Sequence, residues 1–127
     1  MYLEQNRNSI PVNQWTRKQV EEHVTATLSS NSIPVFEANR TRVVELVHLV
    51  YGMMYKNVIN SVFSIAVAPP YEWYIKMQFV HGVKPEDHRE WLDKCFALCD
   101  RYVVTEPGNY KIPSLNNYDI EMRISLV

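Results

Sequence analysis

Trp73-Tyr74-Ile75-Lys76-Met77-Gln78-Phe79 is the stretch on which the fold turns. Trp73, Ile75, Met77 and Phe79 alternate with Tyr74, Lys76 and Gln78, the period of two that a strand shows when one face is buried and the other is wet. Just upstream, Phe63, Ile65 and Val67 alternate in the same way and Pro69-Pro70 makes a turn. Residues 63–79 therefore read as a β-hairpin with one buried face. A competing reading continues the preceding helix to Ala66, because Val58, Val62 and Ile65 also hold helical spacing. At the end of the sequence, Tyr118, Ile120, Met122, Ile124 and Leu126 alternate with Asp119, Glu121, Arg123 and Ser125. Pairing 73–79 with 118–126 sets Lys76 near Glu121, and opposite charges across strands stabilise such a pair modestly.

Outward from these strands the period changes to that of a helix. Val20, Val24 and Leu28 make a thin stripe in a first helix from about Asn13 to Leu28. Ser29-Ser30-Asn31-Ser32 is a polar break. The second helix runs from Val35 or Asn39 to Asn57 or Asn60, and its stripe of Val43, Val47, Val50, Met54 and Val58 is widened by Val44, Leu46 and Leu49. A stripe that broad marks a central, largely buried helix. Gly52 within it lowers helix propensity by about 1 kcal/mol and permits a close helix crossing. Lys84-Pro85-Glu86-Asp87 opens a third helix, with proline and acids where the first turn favours them. Its rows, Trp91, Cys95, Leu98, Tyr102 and Leu92, Phe96, Cys99, Val103, carry it to about Arg101. Residues 105–117 are loop, with a turn at Pro107-Gly108-Asn109 and a break at Pro113.

One segment occurs twice: Asn8-Ser9-Ile10-Pro11-Val12 returns as Asn31-Ser32-Ile33-Pro34-Val35. A capping residue followed by proline is helix-start chemistry, so both copies read as helix starters. Two copies are too few for a solenoid. The expected fold is α+β in a single domain, 1–127: two N-terminal helices, a β-hairpin, a third helix and a C-terminal strand, the strands forming a small antiparallel sheet packed on helices.

Composition bounds the function. The chain has 127 residues, 46% hydrophobic and 12% aromatic, with 13 basic and 14 acidic groups for a net charge of −1. It is long enough to bury a core without disulfides or metal. A charge balance this even lacks the basic excess of nonspecific nucleic-acid binders. The first seven residues are too polar for a signal peptide and no apolar run approaches a membrane span, so a cytoplasmic location is expected. The glycines, Gly52, Gly82 and Gly108, are isolated, which excludes the Gly-rich phosphate loops. No nucleophile elbow, paired-histidine zinc helix or C-x-x-C occurs.

His81, His88, Cys95 and Cys99 make the best metal set. His88 and Cys99 lie too far apart along a helix, and free cysteine usually packs as a small hydrophobe. Packing is the reading adopted, with neither metal nor cofactor expected. A Cys–His catalytic pair fails because both thiols sit toward the helix C-terminus, where the dipole disfavours a thiolate. The paired acids Glu86/Asp87 and Glu21/Glu22 read as solvated surface.

By elimination, the expectation is a non-enzymatic binding protein, an inhibitor, adaptor or regulator of the kind phages and mobile elements encode, acting through a protein partner or homodimer. The residues proposed for it are the aromatics Trp15, Tyr51 and Tyr55, favoured at interfaces, and the sheet face formed by Tyr74, Lys76, Gln78 and Arg123. That face, aromatic and basic, also carries the alternative of nucleic-acid binding by base stacking. Small-ligand sequestration between helices and sheet is the second alternative.

Overall fold

The computed structural model describes residues 11–112 and 115–127. The first copy of the repeat lies mostly in 1–10, and Pro113 in 113–114, so both fall outside the described residues. Three helices, α1 (Arg17–Ser30), α2 (Glu37–Tyr55) and α3 (Arg89–Leu98), accompany four strands, β1 (Ile59–Val67), β2 (Glu72–Phe79), β3 (Arg101–Thr105) and β4 (Asp119–Ser125). The strands form one antiparallel sheet in the order β1-β2-β4-β3. The fold is the expected α+β arrangement with one strand more.

Helix ends account for the second copy of the repeat. α1 is preceded by a short 3-10 turn, Val12–Gln14. It then starts at Thr16, whose hydroxyl accepts from the Gln19 N–H while Gln19 Oε1 accepts from the Thr16 N–H. This reciprocal capping satisfies two N–H groups that a helix start leaves bare. α1 ends inside the second copy of the repeat. Ser32 takes a left-handed φ of 52°, its N–H donates to Ser29 O, and the Ile33 N–H reaches back to Leu28 O at 3.0 Å. Asn31-Ser32-Ile33 is thus a Schellman stop rather than a helix start, closed by the apolar pair Leu28 and Ile33. α2 begins only after Phe36 and without a side-chain cap. It stops the same way: Asn57 has φ 61°, and Val58 N–H donates to Met53 O.

α2 is the central element. It packs against α1 on one side and against β1, β2, β4 and α3 on the other, so Val43, Val44, Leu46, Val47, Val50 and Met53 are all buried. Gly52 is where α3 crosses it. A Cβ on Gly52 would lie 2.9 Å from the Trp91 ring, and Trp91 Nε1 donates to Leu49 O at 3.1 Å. The expected close crossing is present.

The sheet buries Trp73, Ile75, Met77 and Phe79 of β2 against Ile120, Met122 and Ile124 of β4. Lys76 pairs with Glu121, the expected register. Residues 59–67 are strand, so the helical alternative is set aside. The faces of β1 correct the hairpin reading. Phe63 opposes Lys76 and Ile65 opposes Tyr74, so the larger alternating residues point outward, 48% and 39% exposed. Val62 and Ala66 point to the core instead, because α2 already fills the space above β1 and admits only smaller side chains there.

α3 corrects the other expectation. It begins with a 3-10 turn, Pro85–His88, and ends at Leu98, not Arg101. Cys99 is extended, and Tyr102 and Val103, counted into helical rows, lie in β3. Asp100 holds this junction: its carboxylate accepts from Arg42 at 3.1 and 3.3 Å and from the Ser125 N–H at 2.6 Å. The Arg42 hydrogen bond, against a smaller opposing effect of burial, holds the Asp100 carboxyl below the usual aspartate range. A depressed native pKa contributes stability above the unfolded value and loses it as pH falls through the native one. Asp100→Asn should therefore cost about 1 kcal/mol at neutral pH, kept small because the side chain is 44% exposed and screened by water. Urea midpoints of the variant and wild type should converge well below about pH 4.

Among the described residues no helix is long and apolar enough to cross a membrane.

Candidate functional site: the outer sheet face and its open edge

The face of the sheet turned away from α2 is built by the outward half of each strand. β2 supplies Glu72, Tyr74, Lys76 and Gln78, and β4 supplies Asp119, Glu121, Arg123 and Ser125. β1 adds Phe63 and Ile65, and β3 adds Arg101, Val103 and Thr105. Three acids and three bases are thereby interleaved.

Most of these charges are engaged. Glu72, with only 14% of its side chain exposed, accepts from Arg101 at 2.7 Å and from Arg123 at 3.3 Å. Arg123 also lies over the Tyr74 ring, 4.6 Å from its centroid. The Tyr74 hydroxyl donates to Glu121 at 2.9 Å. Burial first, and then that bond to a carboxylate, push the hydroxyl above the usual tyrosine range. The Phe63 ring meets Tyr74 edge-on at 6.2 Å. The structure thus brings Tyr74, Lys76, Gln78 and Arg123 together on one face, as the alternation requires. Their arrangement is a polar network in which the Tyr74 ring is already stacked on the Arg123 guanidinium.

Trp15, Tyr51 and Tyr55 lie on the opposite side of the fold. Trp15 packs edge-on to Tyr51 at 6.1 Å and beside His23 at 5.4 Å. Tyr51 is buried, and burial raises its hydroxyl pKa. Tyr55 is 54% exposed and shares a shallow cleft with Trp15 and Gly52. Of the three, Tyr55 alone presents most of its surface to solvent.

The thiols sit in the core. Burial chiefly, with a lesser push from Cys99, raises Cys95 to about 12. Cys99 is half-buried, its thiol directed at Phe96 O, and burial raises it too. Among the described residues no three His, Cys, Asp or Glu side chains converge as metal ligands.

Comparison with protein-family models, with curated proteins and with solved structures returned no match.

The feature that sequence reasoning missed is β3. It is an edge strand, all five of its residues are exposed, and it presents Tyr102, Val103 and Val104 at 49%, 59% and 42% exposure. Tyr102 stacks on Phe96 at 3.8 Å. The two, with Leu92 and Val104, line a cleft of about 450 Å³ between α3 and the strand. The sequence signal was the Tyr-Val-Val-Thr run, rich in residues that favour strands, masked by helical spacing carried over from α3.

Proposed function

We propose that this is a small non-enzymatic binding protein that acts through protein–protein contacts, made along the free edge of β3 with a second copy of itself. The edge of β3, which pairs with no other strand than β4 among the described residues, carries the proposal. An edge strand directs every second N–H and C=O away from its sheet, and soluble proteins ordinarily blunt such edges with lysine, proline, bulges or a covering element. β1, the opposite edge, carries a bulge between Ile59 and Ser61 at its start. β3 has Arg101 at one end and otherwise only Tyr-Val-Val-Thr.

The strand is self-complementary. Antiparallel pairing centred on Val103 sets Arg101 opposite Thr105 and Tyr102 opposite Val104, so no like charges meet within the strand. Asp100 and Glu106 meet just beyond it, where Arg42 already neutralises Asp100. A stable interface buries about 800 Å² per partner, more than five residues supply. The adjoining apolar cleft of Leu92, Phe96, Tyr102 and Val104 supports the reading by extending the contact onto α3.

Size-exclusion chromatography with light scattering tests it. Wild type at high micromolar concentration should run near twice the 15.0 kDa of the chain. Val103→Lys places a charge on the edge, beside Glu121, and should run as a monomer with an unchanged circular dichroism spectrum. A monomeric wild type, or a variant that stays dimeric, would overturn the proposal.

A further inference from the structure

The inner and outer sides of β3 limit how two copies can meet. Tyr102 and Val104 oppose Met122 and Ile120, on the buried face of β4, so they are the inner side chains. Antiparallel pairing of a strand with itself is a two-fold perpendicular to the sheet, which keeps inner side chains inner. Residues of equal parity must therefore meet, and the centre is Tyr102, Val103 or Val104. Centring on Tyr102 sets Val104 against Asp100. Centring on Val104 sets Tyr102 against Glu106 and Arg101 against Pro107, which has no N–H to pair. Only the Val103 centre pairs every residue of β3 with another residue of β3.

That register has one defect, repeated at each end. It places Glu106 opposite the partner's Asp100, and like charges facing across strands are destabilising. Asp100 is held by Arg42, whereas Glu106 forms no ion pair among the described residues. A cation for it lies on α3. Phe96 stacks on Tyr102, and from there α3 doubles back along β3. Arg89 stands seven residues before Phe96, about 10 Å along the helix. Glu106 stands four residues beyond Tyr102, about 13 Å along the strand. Both border the cleft between helix and strand, where Lys84 and Glu86 offset each other. Arg89 is 75% exposed and gives only its Nε to Asp93, at 3.2 Å. Its two Nη groups remain to donate.

We infer that Arg89 sets the register of self-pairing, its guanidinium spanning Glu106 of its own chain and the partner's Asp100. The inference rests on the self-pairing through β3 and adds to it the charged contact that selects one alignment. A guanidinium suits the place, because its fork of donors can serve two carboxylates at once.

Sedimentation equilibrium reads the contact as the dimer dissociation constant. Arg89→Gln should raise that constant about tenfold, since the two-fold makes the contact twice, with an unchanged circular dichroism spectrum. In Glu106→Gln the acids no longer oppose each other, so the dimer should tighten. On that background Arg89→Gln should cost less than about threefold, the sign that the two side chains act on each other. Added salt should weaken the wild-type dimer more than that of the double variant. A wild type that dimerises and is split by Val103→Lys, yet ignores Arg89→Gln, overturns the role of Arg89 and leaves self-pairing standing. So does a loss on Arg89→Gln that is undiminished by Glu106→Gln. A monomeric wild type overturns both.

Discussion

Trp73→Ala should remove about 4 kcal/mol of stability, a large share of what a domain of this size possesses. Trp73 is 1% exposed and is the largest fully buried side chain. It lies on the inner face of β2 between Ala66 of β1 and Ile124 of β4, so its removal opens a cavity shared by three strands. Its Nε1 also donates to Ser64 Oγ at 2.8 Å, and truncation strands that hydroxyl on an inward-facing position. Neither neighbour can refill the space, Ala66 being too small and Ile124 already packed. Urea denaturation at neutral pH measures the loss, and a shift under about 1 kcal/mol would mean that the three strands collapse around the gap. Trp73→Phe should recover most of the difference, since it restores volume and leaves the Ser64 hydroxyl as the main defect.

Gly52→Leu should cost about 3 kcal/mol by a different route. The Trp91 ring occupies the space where a side chain would start, 2.9 Å from an ideal Cβ. A branched side chain cannot coexist with it, so α3 must lift off α2 or Trp91 must swing out and lose its bond to Leu49 O. Overpacking of this kind typically costs about 1–3 kcal/mol, and the lost hydrogen bond about 1 more. Gly52→Ala separates packing from helix propensity. Alanine gains about 1 kcal/mol over glycine within a helix, which a small displacement of the exposed end of Trp91 would roughly cancel, so its urea midpoint should stay near wild type. A destabilised Gly52→Ala with a red-shifted tryptophan emission would show that even one methyl drives Trp91 out of the crossing.

These two positions mark what the sequence makes legible. The strict alternation at 73–79 and 118–126 identified β2 and β4 and the face each buries, because a one-residue slip would have turned every apolar side chain outward, and the opposite charges of Lys76 and Glu121 suggested the register observed. Gly52 within a broad apolar stripe likewise announced a close crossing. The misreadings share one cause, which is that periodicity shows that a face exists and not which way it turns. In β1 two sets of apolar residues alternate, Val62 with Ala66 and Phe63 with Ile65, and only α2's occupation of the inner side chooses between them. After Leu98, Tyr102 and Val103 happen to continue helical spacing, while Asp100 and its long-range partners Arg42 and Ser125 turn the chain into β3. The Asn-Ser-Ile-Pro-Val segment has capping chemistry suited to either end of a helix, and it took contacts with Leu28 and Ser29 to make it a stop. The candidate surfaces inherit these limits. Tyr74, Lys76, Gln78 and Arg123 were grouped correctly from strand parity, whereas the cleft of Leu92, Phe96, Tyr102 and Val104 exists only because the chain leaves α3 for β3.

The bulge in β1 bears on symmetry. A sheet with two pairable edges joins head to tail, β3 of one molecule to β1 of the next, and such heterologous contacts grow without limit into fibres. Here the irregularity displaces the start of β1, while its register runs unbroken from Ser61 to Val67. The proposed pairing along β3 would use the same strand from both sides, which is a two-fold operation, and leave β1 at each outer end. On that proposal the assembly closes at two when the β1 edges stay unpaired, and a shift of the wild type from dimer to larger species with concentration would show that they pair.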